Sequence, residues 1–110
     1  TTPRAPIVAV SLPSSLTDQE QRGRTAFAAN CAVCHGENGS GRIEMGPPLI
    51  HKIYEPSHHA DISFERAIEY GVQSHHWTFG NMAAVGGLTK ADIGGIIAYV
   101  RAVQRANGIN

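Results

Sequence analysis

Cys31-Ala32-Val33-Cys34-His35 is the stretch on which the reading of this chain turns. These are its only two cysteines, three apart, with a histidine directly after the second. Such a pair has several uses: half of a zinc site, a thioredoxin-like redox pair, a local disulfide or a covalent anchor. Zinc needs further ligands at metal spacing, and no second cysteine pair exists. A redox pair expects a βαβ context, and no strand-rich pattern surrounds this one. What remains is Cys-x-x-Cys-His as the attachment signature of a c-type haem. The spacing suits the chemistry. Two thiols add to the two porphyrin vinyl groups, and the imidazole of His35 then lies beneath the ring and reaches iron.

Composition agrees with one small domain built around a bulky group. The chain has 110 residues, and 42% are hydrophobic, but only seven are aromatic. A chain this short buries a modest core of its own, so a planar apolar cofactor would supply missing volume. Nine basic residues balance nine acidic ones, which argues against a nucleic-acid partner. No apolar run approaches the roughly 18 residues of a membrane span. Thr1 does not read as a translation start, so a processed chain with its signal peptide removed is expected.

Helix signals flank the motif. Residues 1–15 contain Pro3, Pro6 and Pro13 without helical period and read as an extended arm, with a mobile terminus as the default. Thr17-Asp18-Gln19-Glu20 is a capping box, with Leu16 placed as a hydrophobic staple. The helix it opens carries Gly23 and Phe27 on the face that Cys31 continues. Gly36, Gly39, Gly41 and Gly46, then Pro47-Pro48, make the following stretch a loop. A helix is expected from about Asp61 to Tyr70, where Phe64, Ala67, Ile68 and Gly71 keep the i, i+3, i+4, i+7 pattern, with Gly71 as its stop. The last helix is expected from about Thr89 to Ala106, with an apolar stripe of Ile93, Ile96, Ile97, Val100 and Val103. Gly94 and Gly95 lower its propensity by about 1 kcal/mol each. They read either as a point of close helix approach or as simple tolerance near a helix start.

With these elements the chain resembles a class I bacterial cytochrome c over roughly residues 16–106, which implies an all-α fold with crossing N- and C-terminal helices. The domain would then be residues 16–110, preceded by the arm of residues 1–15. Gly23 and Phe27 match the family's N-terminal helix contact, and Tyr99 the aromatic that meets it. Gly46-Pro47-Pro48-Leu49 matches the loop after the haem motif. The resemblance implies that the Pro47 carbonyl accepts a hydrogen bond from the Nδ1–H of His35, a bond that raises ligand basicity, and that Leu49 packs on the porphyrin.

Met82 stands where the family places its axial methionine, just before the last helix, although Ala83 replaces the proline that often follows. The other methionine, Met45, reads as a flexible gap-filler. A distal histidine is the competing sixth ligand, since both types occur on haem iron. The candidates are His51, His58, His59, His75 and His76. The pairs His58-His59 and His75-His76 also raise the question of a second metal, but imidazole alone does not select one. Trp77 is a candidate propionate donor through its indole N–H, as are His76 and Lys52, and Trp77 reads equally well as plain core.

The resemblance implies a periplasmic single-electron carrier. Its donor would be a periplasmic dehydrogenase, sulfite-oxidising ones among them, and its acceptor a terminal oxidase or another cytochrome. The alternative is a haem enzyme or gas-binding sensor with a labile sixth ligand.

Overall fold

The computed structural model describes residues 10–36, 39–41, 49–51, 54–57, 59–71, 82 and 84–109; for Val33 and Cys34 it describes the backbone alone. Four helical segments follow one another: α1 (Asp18–Asn30), α2 (Ala32–His35), α3 (Asp61–Tyr70) and α4 (Lys90–Ala106). Among the described residues there is no strand, and the fold is all-α.

Both long helices begin where their caps dictate. The first N–H groups of a helix lack intrahelical partners, and a capping box satisfies two reciprocally. At α1 the Glu20 N–H donates to Thr17 Oγ1 at 3.1 Å, and the Thr17 N–H donates to Glu20 Oε1 at 2.9 Å. Thr89 and Asp92 repeat the device at α4, at 3.1 and 3.0 Å. The Thr89 N–H, and with it the Thr89 hydroxyl, holds the Asp92 carboxyl below its ordinary pKa. Helix α3 stops at Gly71, whose φ of 79° suits glycine and whose N–H returns to the Ala67 carbonyl.

The expected staple differs in its partner. Its usual mate on α1 would be Gln21, which is polar and exposed. Leu16 instead packs, half-buried, against the main core. The arm is also better held than its composition suggests. Val10 packs against the core. Asn107 brackets the Ser11 backbone, taking its N–H on Oδ1 at 2.9 Å and donating from Nδ2 to its carbonyl at 2.7 Å.

The core is the crossing of α1 and α4. All five stripe residues of α4 are buried, together with Tyr99. Phe27 and Tyr99, each 1% exposed, meet with ring centroids 5.9 Å apart at a tilt of 56°. Such a pair contributes about 0.5–1.5 kcal/mol beyond its buried area. Burial raises the pKa of the Tyr99 phenol, and the positive charge of Arg24 opposes that rise.

The backbones meet at Gly23 and Gly95. A Cβ on Gly23 would lie 1.7 Å from the Gly95 carbonyl oxygen, and one on Gly95 would lie 3.1 Å from the Gly23 nitrogen. Close approach is therefore the reading that holds for Gly95. Gly94 is only tolerated, since a Cβ there meets nothing nearer than Gln19 Nε2 at 3.7 Å.

Candidate cofactor site

The attachment motif sits at the end of α1, where the crossing holds it. The Cys31 N–H donates to the Phe27 carbonyl at 2.8 Å, so the motif hangs directly from a core residue. One further turn, α2, carries the rest. The His35 N–H donates to the Cys31 carbonyl at 2.9 Å and the Gly36 N–H to the Ala32 carbonyl at 2.8 Å. Residues four apart in a helical turn share a face, so Cys31 and His35 lie on one side of this turn. Cys31, Ala32 and His35 are all buried, His35 at 9% exposure.

The chain must then reverse sharply. Gly36 adopts φ +78°, and a Cβ there would lie 2.4 Å from the Gly41 carbonyl oxygen, so only glycine fits. The Gly41 N–H closes this turn on the His35 carbonyl at 2.5 Å. Leu49 and Ile50 return to the same place, both donating to the Gly39 carbonyl, at 2.8 and 3.3 Å. Leu49 is half-buried against the core and Ile50 is fully within it.

Met82 is half-buried. Three residues on, the Val85 N–H donates to the Ile68 carbonyl at 2.8 Å, which fastens this segment to α3. The structure thus gives the surroundings of Cys31, His35 and Leu49, and for Met82 its half-burial. The Cys34 side chain, Met45, Pro47, Lys52, His58, Trp77, the pair His75-His76 and Ala83 lie outside the described residues. Of the other histidines, His51 is half-buried and accepts the Tyr54 N–H on its carbonyl at 2.9 Å. His59 stacks its ring 4.9 Å from that of Tyr54. Among the described residues no group of three or more His, Cys, Asp or Glu side chains could hold a metal.

Two residues that sequence reasoning passed over stand behind this site. Arg101 and Gln104, on α4, are both buried. Arg101 donates to Asp61 Oδ1 at 2.8 Å, to the Tyr54 carbonyl at 2.6 Å, to Gln104 Oε1 at 2.8 Å and to the His59 carbonyl. Its guanidinium also lies 4.4 Å from the Phe64 ring centroid. Gln104 Nε2 donates to the carbonyls of Leu49 and Tyr54, each at 3.0 Å. A signal was available: Gln104 continues the Ile93, Ile97, Val100 face at helical spacing, so a polar side chain there had to be buried and bonded.

The donor set fits a c-type haem. A buried cysteine and a buried imidazole share one helical turn, a second cysteine falls between them, and apolar Leu49 and Val85 pack against the core to which that cysteine belongs. Comparison with known proteins agrees. Residues 20–104 match the Cytochrome c family, and the chain belongs to it. It is accordingly a c-type cytochrome, whose cofactor is a covalent c-type haem with its iron.

More particular likenesses are local. Thirty residues, 27% of this chain, are 57% identical to the cbb3-type cytochrome c oxidase subunit FixP of Azorhizobium caulinodans. Twenty-eight residues, 26% of this chain, are 54% identical to the corresponding subunit CcoP of Cereibacter sphaeroides. In both cases the matched stretch spans 10% of the relative's length. The fold is similar to that of cytochrome CL from the marine methylotroph Methylophaga aminisulfidivorans MPT. The TM-score is 0.56 at 22% identity, covering 94% of this chain and 81% of that one.

Proposed function

We propose that this chain is a periplasmic single-electron carrier, with Cys31 and Cys34 as the thioether anchors of its haem, His35 as proximal ligand and Met82 as distal ligand. The observation that supports it most is the buried Cys31–His35 turn suspended from Phe27 at the helix crossing. When bound, the haem supplies an iron that alternates between Fe(III) and Fe(II). The chain's own residues set how readily it does so. A thioether is a soft donor that favours Fe(II), so Met82 raises the reduction potential, whereas a second histidine would lower it. Two protein ligands keep oxygen and peroxide off the metal and limit rearrangement on electron transfer. A buried pocket further disfavours the extra charge of the oxidised state.

Around these ligands, by the family resemblance, Pro47 would accept the Nδ1–H of His35, Leu49 would pack on the porphyrin, and Trp77 would donate to a propionate. Residues 16–110 form the domain, and residues 1–15 are its arm. The donor is a periplasmic dehydrogenase, sulfite-oxidising ones included, and the acceptor is an oxidase or another cytochrome. The cbb3-type oxidase subunits among the relatives favour an oxidase on the accepting side. No helix among the described residues is long and apolar enough to cross a membrane. Encounters between such proteins use small interfaces, under about 1,200 Å².

The test is the far-red spectrum of the oxidised protein, where sulfur-to-Fe(III) charge transfer absorbs weakly, beside that of Met82→Ala. A band that disappears in the variant supports the assignment. A low-spin wild type without the band would put a histidine at the sixth position and sink the high-potential reading. A high-spin wild type would favour a haem enzyme or gas sensor.

A further inference from the structure

The buried pair Arg101 and Gln104 has no part in ligand binding, yet its hydrogen bonds lead to the turn that carries His35. Gln104 is 0% exposed, and each polar atom of its amide is used. Arg101 can only donate. Its bond to Gln104 Oε1 therefore leaves the Nε2 hydrogens for the two facing carbonyls, Leu49 and Tyr54. The arginine thus fixes which way the amide points.

Leu49 is the joint. Its carbonyl is held by Gln104 at 3.0 Å and its N–H by the Gly39 carbonyl at 2.8 Å. The Gly39 N–H in turn donates to the Gly36 carbonyl at 3.2 Å, next to His35, whose own carbonyl takes the Gly41 N–H. The route from α4 to the histidine turn is a few bonds long. It runs through glycines in left-handed conformations that no larger residue adopts easily.

We infer that Gln104, oriented by Arg101, is a positioning residue for the His35 turn, acting through Leu49 and Gly39. This rests on the reading of His35 as proximal ligand. Tyr54 stays bonded to Arg101 when Gln104 is altered, so the group that loses its α4 donor is the Leu49 carbonyl. A part-buried carbonyl that loses its donor destabilises its surroundings, and the Leu49 peptide then moves toward other partners. The Gly39 bond shifts with it, and with that bond the imidazole plane.

The experiment uses the haem-loaded protein and two substitutions. Gln104→Met keeps length and volume without polarity. Gln104→Glu keeps an acceptor for Arg101, whose guanidinium offsets the added charge, and replaces the amide donors, so it provides a second variant should the methionine variant fail to fold. The readouts are amide hydrogen exchange at Leu49, Gly39 and Gly41, and the hyperfine-shifted NMR resonances of the His35 ring in the oxidised protein. Both variants are expected to exchange these amides at least about tenfold faster than wild type and to shift the ring resonances. Val103→Ala, a core truncation one residue away, serves as control. It lowers global stability while leaving the ring resonances in place. If the glutamine variants behave like Val103→Ala, Gln104 is only core and the inference fails. Amide exchange does not depend on the ligand assignment. Accelerated exchange in a protein whose wild type shows no hyperfine-shifted histidine would therefore overturn the proximal role of His35 and not the bond route.

Discussion

Replacing Gly23 with alanine tests the helix crossing most directly. The new methyl would lie 1.7 Å from the Gly95 carbonyl oxygen, 2.1 Å from its carbon and 2.7 Å from the Ile96 nitrogen. All three are backbone atoms of a helix, and no rotamer moves them aside. Restoring contact at about 3.5 Å requires the helices to separate locally by about 2 Å. That separation reaches Phe27, one turn along α1, and loosens its contact with Tyr99. Overpacking a tight core costs about 1–3 kcal/mol, and losing aromatic contact adds about 1. Alanine returns about 1 kcal/mol of helix propensity. The expected net loss is about 1–3 kcal/mol, a sizeable share of the 5–15 typical of a domain.

Gly95→Ala, whose Cβ meets Gln19 and Gly23 backbone atoms at 3.1–3.2 Å, should fall between neutrality and that loss. Gly94→Ala meets only a flexible side-chain end at 3.7 Å and should stabilise by up to about 1 kcal/mol. The assay is guanidinium unfolding of the haem-loaded proteins followed by far-UV circular dichroism. A Gly23→Ala protein as stable as wild type, or more stable than Gly94→Ala, would refute the close-approach argument.

Asp92 and Asn107 support two further predictions. The Asp92 carboxyl is held below its ordinary value by the Thr89 hydrogen bonds, so its contribution to stability is present above about pH 4 and is lost as the pH falls through its folded pKa. Asp92→Asn keeps an acceptor for the Thr89 N–H but does not titrate. Thermal melts from pH 5 down to pH 2 should show a shallower decline in the variant, and an unchanged acid slope would contradict this account. Asn107→Ala removes both bonds to Ser11, and limited proteolysis should then cut the arm near residues 10–13 several-fold faster, with the melting midpoint little changed. Equal cleavage rates would mean that Val10 and Leu16, not the asparagine, hold the arm.

The parts of the fold that could be read from the chain are those written locally. A capping box started α1, Thr89 stood at the start of α4, Gly71 ended α3, and the resemblance of Gly23, Phe27 and Tyr99 to the family's helix contact anticipated the meeting of the terminal helices. The motif at residues 31–35 was equally local. What escaped was the long-range polar fastening. Arg101 and Gln104 reach acceptors 40 to 55 residues away, and no pattern near Leu49, Tyr54 or Asp61 announces a donor for them. The same holds for Asn107 and Ser11, 96 residues apart, whose pairing uses backbone groups that any residue possesses. Leu16 follows the same logic: a staple is a local contact, and the larger apolar surface of the core takes the side chain instead.

The crossing of α1 and α4 also bears on the order in which the chain assembles. Their docking closes a loop of about sixty residues that contains α2 and α3, at an entropic cost of about 4 kcal/mol. Small helical proteins usually fold quickly because their contacts are near in sequence, and a structure whose main interface joins its two ends forfeits that advantage. Once the ends have met, however, the interface is sealed by Gly23, Gly95, Phe27 and Tyr99, none of which belongs to the intervening loops. The middle of the chain can therefore settle around its prosthetic group while the frame stays closed.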